Sequence, residues 1–389
     1  MLAVREFLSP DLVVTGSGSS SRVGELCRNR GFKKGLVVTD ENMVRFGLVD
    51  EIEKSLSQTN VQSCTYSGVE TEPTVGYVQD GLQVYQQNGC DFVLAVGGGS
   101  PIDTAKAIAV MATNPGAIQD YKGAGKIPNP GVPLVAVPTT AGTGSEVTIF
   151  TIITDTATDV KMLIISPYLM PDIAIVDPLL TRSAPRSITA ATGIDALVHA
   201  VEAYVSVKAQ PTSDMFALTA IELISNYLRQ AWANGNNLEA REKVMLGSLY
   251  AGHAFCNSSV ALVHGMSRPI GANFHIAHGV SNAVLFATVT EFSLVGNPLR
   301  YSHVAEAMGQ NVGGRTQMEA AQLAVQAIRQ LVSDIEIPSL SHLVPDGEKF
   351  SRLVPKMAED AIDSGSPANN PRQSTKEHIM ELYKRAYSL

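Results

Sequence analysis

Up to Asp177-Pro178, short β-branched runs alternate with helix-length segments, and from about Ser187 onward only helical periodicity remains. That change of texture constrains the fold more than any other feature. Strands separated by helices of roughly ten to fifteen residues are not hairpin partners, and they imply a parallel sheet with helices on its faces. DLVVTG (11–16), Gly35–Asp40, Val61–Tyr66, DFVLAVG (91–97) and VPLVAVP (132–138) read as its strands. Helices are expected around Ser21–Arg30 and from Glu72-Pro73 toward Gly89, with Pro73 in a first turn where its missing N–H is no loss. In Ser213–Trp232, Met215, Phe216, Leu218, Ile221, Leu223, Ile224, Tyr227 and Leu228 recur at three- and four-residue steps. The reading is an α/β domain over residues 1–181 with a parallel sheet, followed by an all-helical domain over residues 182–389.

Composition excludes several classes. Apolar residues form 45% of the 389-residue chain and charged residues 17%, which suits a large buried core and argues against disorder. Net charge is −8 with no run of Lys or Arg, so the patch needed to neutralise nucleic-acid phosphates is missing. Cys27, Cys64, Cys90 and Cys256 lie far apart and read as free thiols of a reducing compartment. MLAVREFLSPDLVV lacks the form of a signal peptide, and no apolar stretch reads as long enough to span a bilayer. The expectation is a cytoplasmic protein with no nucleic-acid or membrane partner.

The segment AVGGGSPIDTAKAIAV (95–110) delivers a strand into Gly97-Gly98-Gly99 and starts a helix at once. Ser100 reads as its N-cap, Pro101 as N1 and Asp103 as N3. Three glycines let backbone approach a ligand, and a helix start offers unpaired N–H groups, which suits a pyrophosphate; the alternative is a tight turn with no ligand. PTTAGTGSEVT (138–148) follows the next strand and offers the hydroxyls of Thr139, Thr140, Thr143 and Ser145. Two such loops at the carboxyl ends of consecutive parallel strands mark the place where open sheets bind ligands. Asp40 ends the strand LVVTD, where it accepts from an adenosine ribose and opposes a 2′-phosphate, favouring NAD over NADP, or else caps the next helix.

In ATGIDALVHAVEAYVS (191–206), Asp195 and His199 stand four apart on one helix face. ALVHGMSRPIGANFHIAHGVSNAV (261–284) carries His264, His275 and His278 in otherwise apolar surroundings, within a chain of 8 histidines. Three histidines and a carboxylate in such surroundings make a nitrogen and oxygen set of four suited to Fe²⁺ or Zn²⁺ with a position left for a substrate oxygen. The alternative is a set of satisfied core histidines.

Together these segments, with Lys161 to Asp177-Pro178 and NNPRQST (369–375), resemble the iron-containing (group III) alcohol dehydrogenases, a family that includes lactaldehyde reductases and 1,3-propanediol dehydrogenases. The likeness covers nearly the whole chain. It implies a Rossmann-like N-terminal domain, a helical C-terminal domain and a catalytic site in the cleft between them. It also implies that Asp195, His199, His264 and His278 hold the metal, Fe²⁺ first and Zn²⁺ as the other fit. By the same resemblance Gly97, Gly98, Gly99, Ser100, Asp103, Thr139 and Thr140 line the NAD; Thr143 and Lys161 are assigned with them. A homodimer or larger assembly is implied as well.

One departure is specific to this chain. Family members commonly read HGMAHP after the third ligand, whereas this sequence reads HGMSRP, with Arg268 at the second histidine's place. Arginine does not shuttle protons near neutrality. A proton path then falls to water on the metal, the cofactor ribose or His275. Arg268 either clamps an anionic substrate tail through paired N–H donors or is a structural arginine paired to a local acid. Phe150 and Phe255 are pocket-wall candidates or plain core.

The expected activity is hydride transfer between NAD(H) and a short-chain alcohol or aldehyde, including anionic ones such as succinic semialdehyde or sulfoacetaldehyde. The alternatives are a neutral diol or polyol dehydrogenase of the glycerol or 1,3-propanediol type, and a lyase similar to 3-dehydroquinate synthase. The lyase needs several basic residues around the ligands, where only Arg268 stands. A nucleotide-binding module with a degenerate site is opposed by the presence of all four ligands.

Overall fold

Residues of the central strands alternate strictly between two buried clusters, and that alternation builds the first half of the molecule. The computed structural model describes residues 4–158 and 160–389. In it, β1 (Leu12–Thr15), β2 (Lys34–Val38), β3 (Gln62–Tyr66), β4 (Phe92–Gly97), β6 (Leu134–Pro138) and β9 (Ile173–Val176) form a six-stranded parallel sheet in the order β1-β9-β6-β4-β2-β3, while β5 (Gly123–Ala124), β8 (Val160–Ile165) and β7 (Phe150–Asp155) form, in that order, a three-stranded mixed sheet. Leu36, Val38, Val93, Ala95, Leu134 and Ala136 point to one face, where α4 (Val75–Asn88) and α5 (Gly99–Met111) cover them. Val37, Phe92, Leu94, Val96, Val135 and Val137 point to the other, under α1 (Val23–Asn29) and α3 (Leu48–Gln58). Strands buried on both sides read as continuous apolar runs, which is why the sequence signalled a parallel sheet.

The chain runs from β2 outward to β3 and then returns to β4 on the opposite side of β2, so strand order reverses between β2 and β4. The carboxyl ends of those two strands carry Asp40 and the Gly97–Gly99 loop, the position where open α/β sheets bind ligands. Local details differ from expectation. Helix α5 begins at Gly99 with Gly98 as N-cap, so Ser100 and Pro101 fall inside its first turn. Helix α4 begins at Val75 under a Thr74 cap; Pro73 precedes it, and the Pro73 carbonyl accepts from Thr154 N at 2.7 Å. The antiparallel β7–β8 pair, in register from Phe150↔Ile165 to Asp155↔Val160, was not foreseen.

The chain divides into two compact units: Leu8–Ser183, and Ala184–Leu389 together with the described residues up to Phe7. Phe7 stacks on Phe216 with ring centroids 5.5 Å apart, and Arg5 Nη1 donates to the Ala209 carbonyl at 2.7 Å, tying the start of the chain to the helical unit. That unit contains no strand among its described residues. Its core is α6 (Arg186–Val205), buried along nearly its whole length and packed by α7 (Pro211–Ala233), α8 (Leu238–Cys256), α9 (Leu262–Phe274) and α10 (His278–Ser293). One stretch, His278–Gly296, is in fact long and apolar enough by composition to cross a membrane, contrary to the reading of the sequence. Most of it (61%) is buried within the protein, as a helix that must pack on all sides would be.

Candidate metal centre and nucleotide loop

Three helices of the second unit bring Asp195, His199, His264 and His278 together, with one ligand atom from each lying within 4.8 Å of the others. Asp195 and His199 share a face of α6 one turn apart, α9 supplies His264, and His278 is the first residue of α10. The crossing of α6 and α10 depends on Gly279. A Cβ there would lie 2.0 Å from the Ala191 carbonyl oxygen, so only glycine lets His278 come down onto Asp195. Asp195 Oδ1 stands 3.7 Å from both His264 Nε2 and His278 Nε2, and Oδ2 stands 3.9 Å from His199 Nδ1. The side chain of His278 is 42% exposed and is the open member of an otherwise buried group.

Two buried polar residues that sequence reasoning missed hold this arrangement. Glu202 lies one further turn along α6, so the spacing 195, 199, 202 was the available signal. Its Oε2 accepts from His264 Nδ1 at 2.6 Å, which turns the Nε2 lone pair of that ring toward the cluster. The same carboxylate accepts from the backbone N–H groups of Ala261 (2.9 Å) and Val263 (2.5 Å), stabilising the start of α9, which has no cap of its own. The other residue is Asn282, four after His278, whose Nδ2 donates to Asp195 Oδ1 at 2.6 Å.

The electrostatics match a cation site. Burial opposes the charge on Asp195, yet His199, His278 and His264 outweigh it and hold the carboxyl well below the usual carboxylate range. Burial pushes His264 down, but its bonds to Asp195 and Glu202 prevail and raise it. Protons and a metal therefore compete for the same imidazole lone pair. A set of three imidazoles and one carboxylate, buried except at His278, fits Fe²⁺ or Zn²⁺ in donor chemistry.

Around the cluster, Phe255 stacks on the His199 ring with centroids 4.3 Å apart. Arg268 follows His264 by one turn of α9, is half-buried, and donates from Nη1 to Ser366 Oγ at 3.1 Å. Burial lowers its pKa, and Glu202 partly restores it. No carboxylate of the described residues forms a direct ion pair with it; Glu202 acts on it only through its field. His275 ends α9 in a left-handed conformation (φ 55°), is exposed, and is not one of the four clustered residues.

In the α/β unit, Gly97 has φ 154°, and a Cβ there would meet Pro101 at 2.6 Å; one at Gly99 would meet Thr143 at 2.8 Å. The loop is therefore closed onto its own neighbours, with Thr140 beside Gly98. No side chain caps α5, leaving its first N–H groups for another acceptor. Thr139 N donates to the Gly97 carbonyl at 2.9 Å, and its buried Oγ1 has no hydrogen-bond partner among the described residues. Asp103 does not reach back to cap the helix as expected. It accepts from Ser145 Oγ (2.6 Å) and Ile152 N (2.9 Å), bracing α5 against the start of β7. Fully buried Lys106 adds to that brace, donating to Thr148 O (2.8 Å), Thr148 Oγ1 (2.9 Å) and the Phe150 carbonyl (2.9 Å). Phe150 thus sits at the head of β7 with its backbone engaged. Asp40 caps the helix Glu41–Arg45 through Oδ1, accepting from Asn42 N and Met43 N. Lys161 is held in an ion pair with Glu72 at 2.5 Å.

A parallel-sheet unit with a glycine loop and a helical unit with a buried Asp/His₃ cluster define the architecture of a metal-dependent oxidoreductase. Family profiles place it more closely: residues 10–178 match "Iron-containing alcohol dehydrogenase" and residues 189–387 match "Fe-containing alcohol dehydrogenase family, C-terminal". The chain belongs to the iron-containing alcohol dehydrogenase family. It is 42% identical to a 1,3-propanediol dehydrogenase of Citrobacter freundii over 98% of each chain. The crystal structure of a 1,3-propanediol oxidoreductase superposes with a TM-score of 0.96 at 41% identity, covering 99% of this chain and 100% of that one. A sulfoacetaldehyde reductase from Bifidobacterium kashiwanohense, solved in complex with NAD⁺, superposes with a TM-score of 0.90 at 29% identity over 100% of both chains.

Proposed function

We propose that this chain is an NAD-dependent oxidoreductase of short-chain aldehydes and alcohols whose best substrates carry an anionic group a few atoms from the carbonyl. The observation behind the substrate class is Arg268: a half-buried guanidinium one helical turn past His264, bonded to a serine hydroxyl and in no direct ion pair with a carboxylate of the described residues. A half-buried cation with no directly paired acid is costly, and a carboxylate or sulfonate on the substrate would supply that partner.

Asp195, His199, His264 and His278 would hold Fe²⁺ or Zn²⁺, and the ion supplies Lewis-acid polarisation of the carbonyl. NAD(H) supplies the hydride. The uncapped start of α5, the Gly97–Gly99 turn and the hydroxyls of Thr139 and Thr140 would receive its pyrophosphate. Asp40 keeps Oδ2 for a ribose while Oδ1 caps its helix. Phe255 keeps water from the His199 side of the cluster, and Arg268 orients the anionic end of the substrate. The proposal extends to a homodimer or larger assembly working in the cytoplasm, which sedimentation and cell fractionation would check.

A second reading, a neutral diol dehydrogenase, is favoured by the 42% identity to a 1,3-propanediol dehydrogenase. The two part on steady-state kinetics with NADH and Fe²⁺-loaded protein, comparing succinic semialdehyde and sulfoacetaldehyde with neutral aldehydes of equal length. The anionic substrates should lead in kcat/KM. Arg268→Ala should lower that lead by roughly ten- to a hundredfold, the worth of about 1.5–3 kcal/mol in a charge-assisted contact. Equal losses on both classes would sink the anionic reading and leave the diol one.

A further inference from the structure

Asn282 is fully buried at the second turn of α10. Its Nδ2 donates to Asp195 Oδ1 at 2.6 Å and lies 3.1 Å from His264 Nε2 and 3.3 Å from His278 Nε2. One amide nitrogen thus touches three of the four candidate ligands. The orientation of the amide follows from charge. A carbonyl oxygen placed 2.6 Å from a carboxylate oxygen would be repelled, so the nitrogen must face Asp195. The outward Oδ1 is buried with no hydrogen-bond partner among the described residues. Leaving a buried carbonyl unanswered is destabilising. A side chain kept only to fill space would do so without that cost if it were apolar, so the contact with Asp195 is what the amide is there to make.

We propose that Asn282 is a positioning residue of the metal centre: its amide N–H fixes the Asp195 carboxylate so that the acid and the imidazoles of His264 and His278 present their lone pairs to the ion together. The donated hydrogen bond withdraws charge from Oδ1 and stops the carboxylate from rotating about its last side-chain bond. Asp195 is the single acid of the set, so its orientation decides how much negative charge the ion receives. Asn282 does for Asp195 what Glu202 does for His264, and between them they restrain one ligand from α6 and one from α9. The inference rests on the proposed role of the four-residue cluster as the metal site.

The test uses the full chain loaded with Co²⁺, a spectroscopic substitute for Fe²⁺, and with Zn²⁺. Asn282→Leu keeps the volume and removes the donor. Asn282→Ala removes both and leaves room for a water to donate in its place. We expect Asn282→Leu to release Zn²⁺ to a chelator about ten- to a hundredfold faster than the unaltered protein and to change the visible Co²⁺ bands, with Asn282→Ala in between. A packing role gives the opposite order in thermal stability, alanine worse than leucine, with metal release and Co²⁺ bands like those of the unaltered protein. That result would overturn the assignment. Should the leucine variant not fold, the alanine variant decides alone: unchanged release and unchanged bands reject the proposal, while faster release with altered bands supports it. An unaltered chain that fails to bind Co²⁺ would take down the metal reading itself, an outcome separate from unequal behaviour of the variants.

Discussion

The glycine turn at the heart of the candidate nucleotide site is one continuous run of backbone, whereas the metal centre is assembled from side chains on three helices. Between Gly97 and Gly99 the geometry is set by what lies immediately alongside, Pro101 and Thr143, and the available groups are main-chain N–H donors. In the helical unit Asp195, His264 and His278 meet only because α6, α9 and α10 cross closely, and each of two ligands is braced by a residue that is not itself a ligand. A backbone site tolerates changes nearby as long as the turn survives. A side-chain site of this kind fails at any of several distant positions.

Substitutions sharpen that contrast. The largest effect is expected from His264→Ala, which removes a ligand: bound metal should fall to near zero by elemental analysis and turnover by about a thousandfold or more, with circular dichroism and NADH binding retained. Retained turnover in the metal-free variant would break the comparison, because the helical unit would then contribute no ion. Next comes Glu202→Gln. The amide still fits beside His264 but loses the charge that orients the ring and stabilises the start of α9. Metal affinity should drop by about ten- to a hundredfold in a chelator competition. An unchanged value would mean that the ring is held by packing alone. The smallest effect is expected in the other unit, where Asp40→Gly should move the NADPH-to-NADH preference by about tenfold while metal content stays constant. If the unaltered enzyme already prefers NADPH, the role assigned to Asp40 is wrong.

The same contrast explains what sequence reasoning reached. The parallel sheet was readable because its strands are buried on both faces and appear as unbroken apolar runs. The ligand set was readable because Asp195 and His199 carry helical spacing and histidine is scarce in this chain. The capping pattern at Ser100 misled by two residues: a glycine can take the N-cap position without a side chain, and the structure uses Gly98. Asp103 looked like a capping acid because spacing alone does not show the hydroxyl of Ser145, which arrives from a loop far along the chain. Glu202 and Asn282 escaped because a buried polar residue next to a ligand has the same spacing as one on a solvated face. Only the third dimension separates them. The β7–β8 pair escaped because the reading sought buried parallel runs, and these strands mix apolar residues with Lys161 and Asp155.

The brace around Lys106 gives this protein an internal clock. Its amine has no exposed surface and is occupied by three oxygens, two of them main-chain carbonyls at the threshold of β7. Acylating reagents attack the free amine, so Lys106 should stay unlabelled while Lys356, 66% exposed, reacts at once. Slow incorporation at Lys106, followed by mass spectrometry, would count how often the Thr148–Phe150 segment lifts away from α5. A nucleotide that binds over the glycine turn would slow that count, so a lysine with no assigned part in catalysis would report on cofactor occupancy.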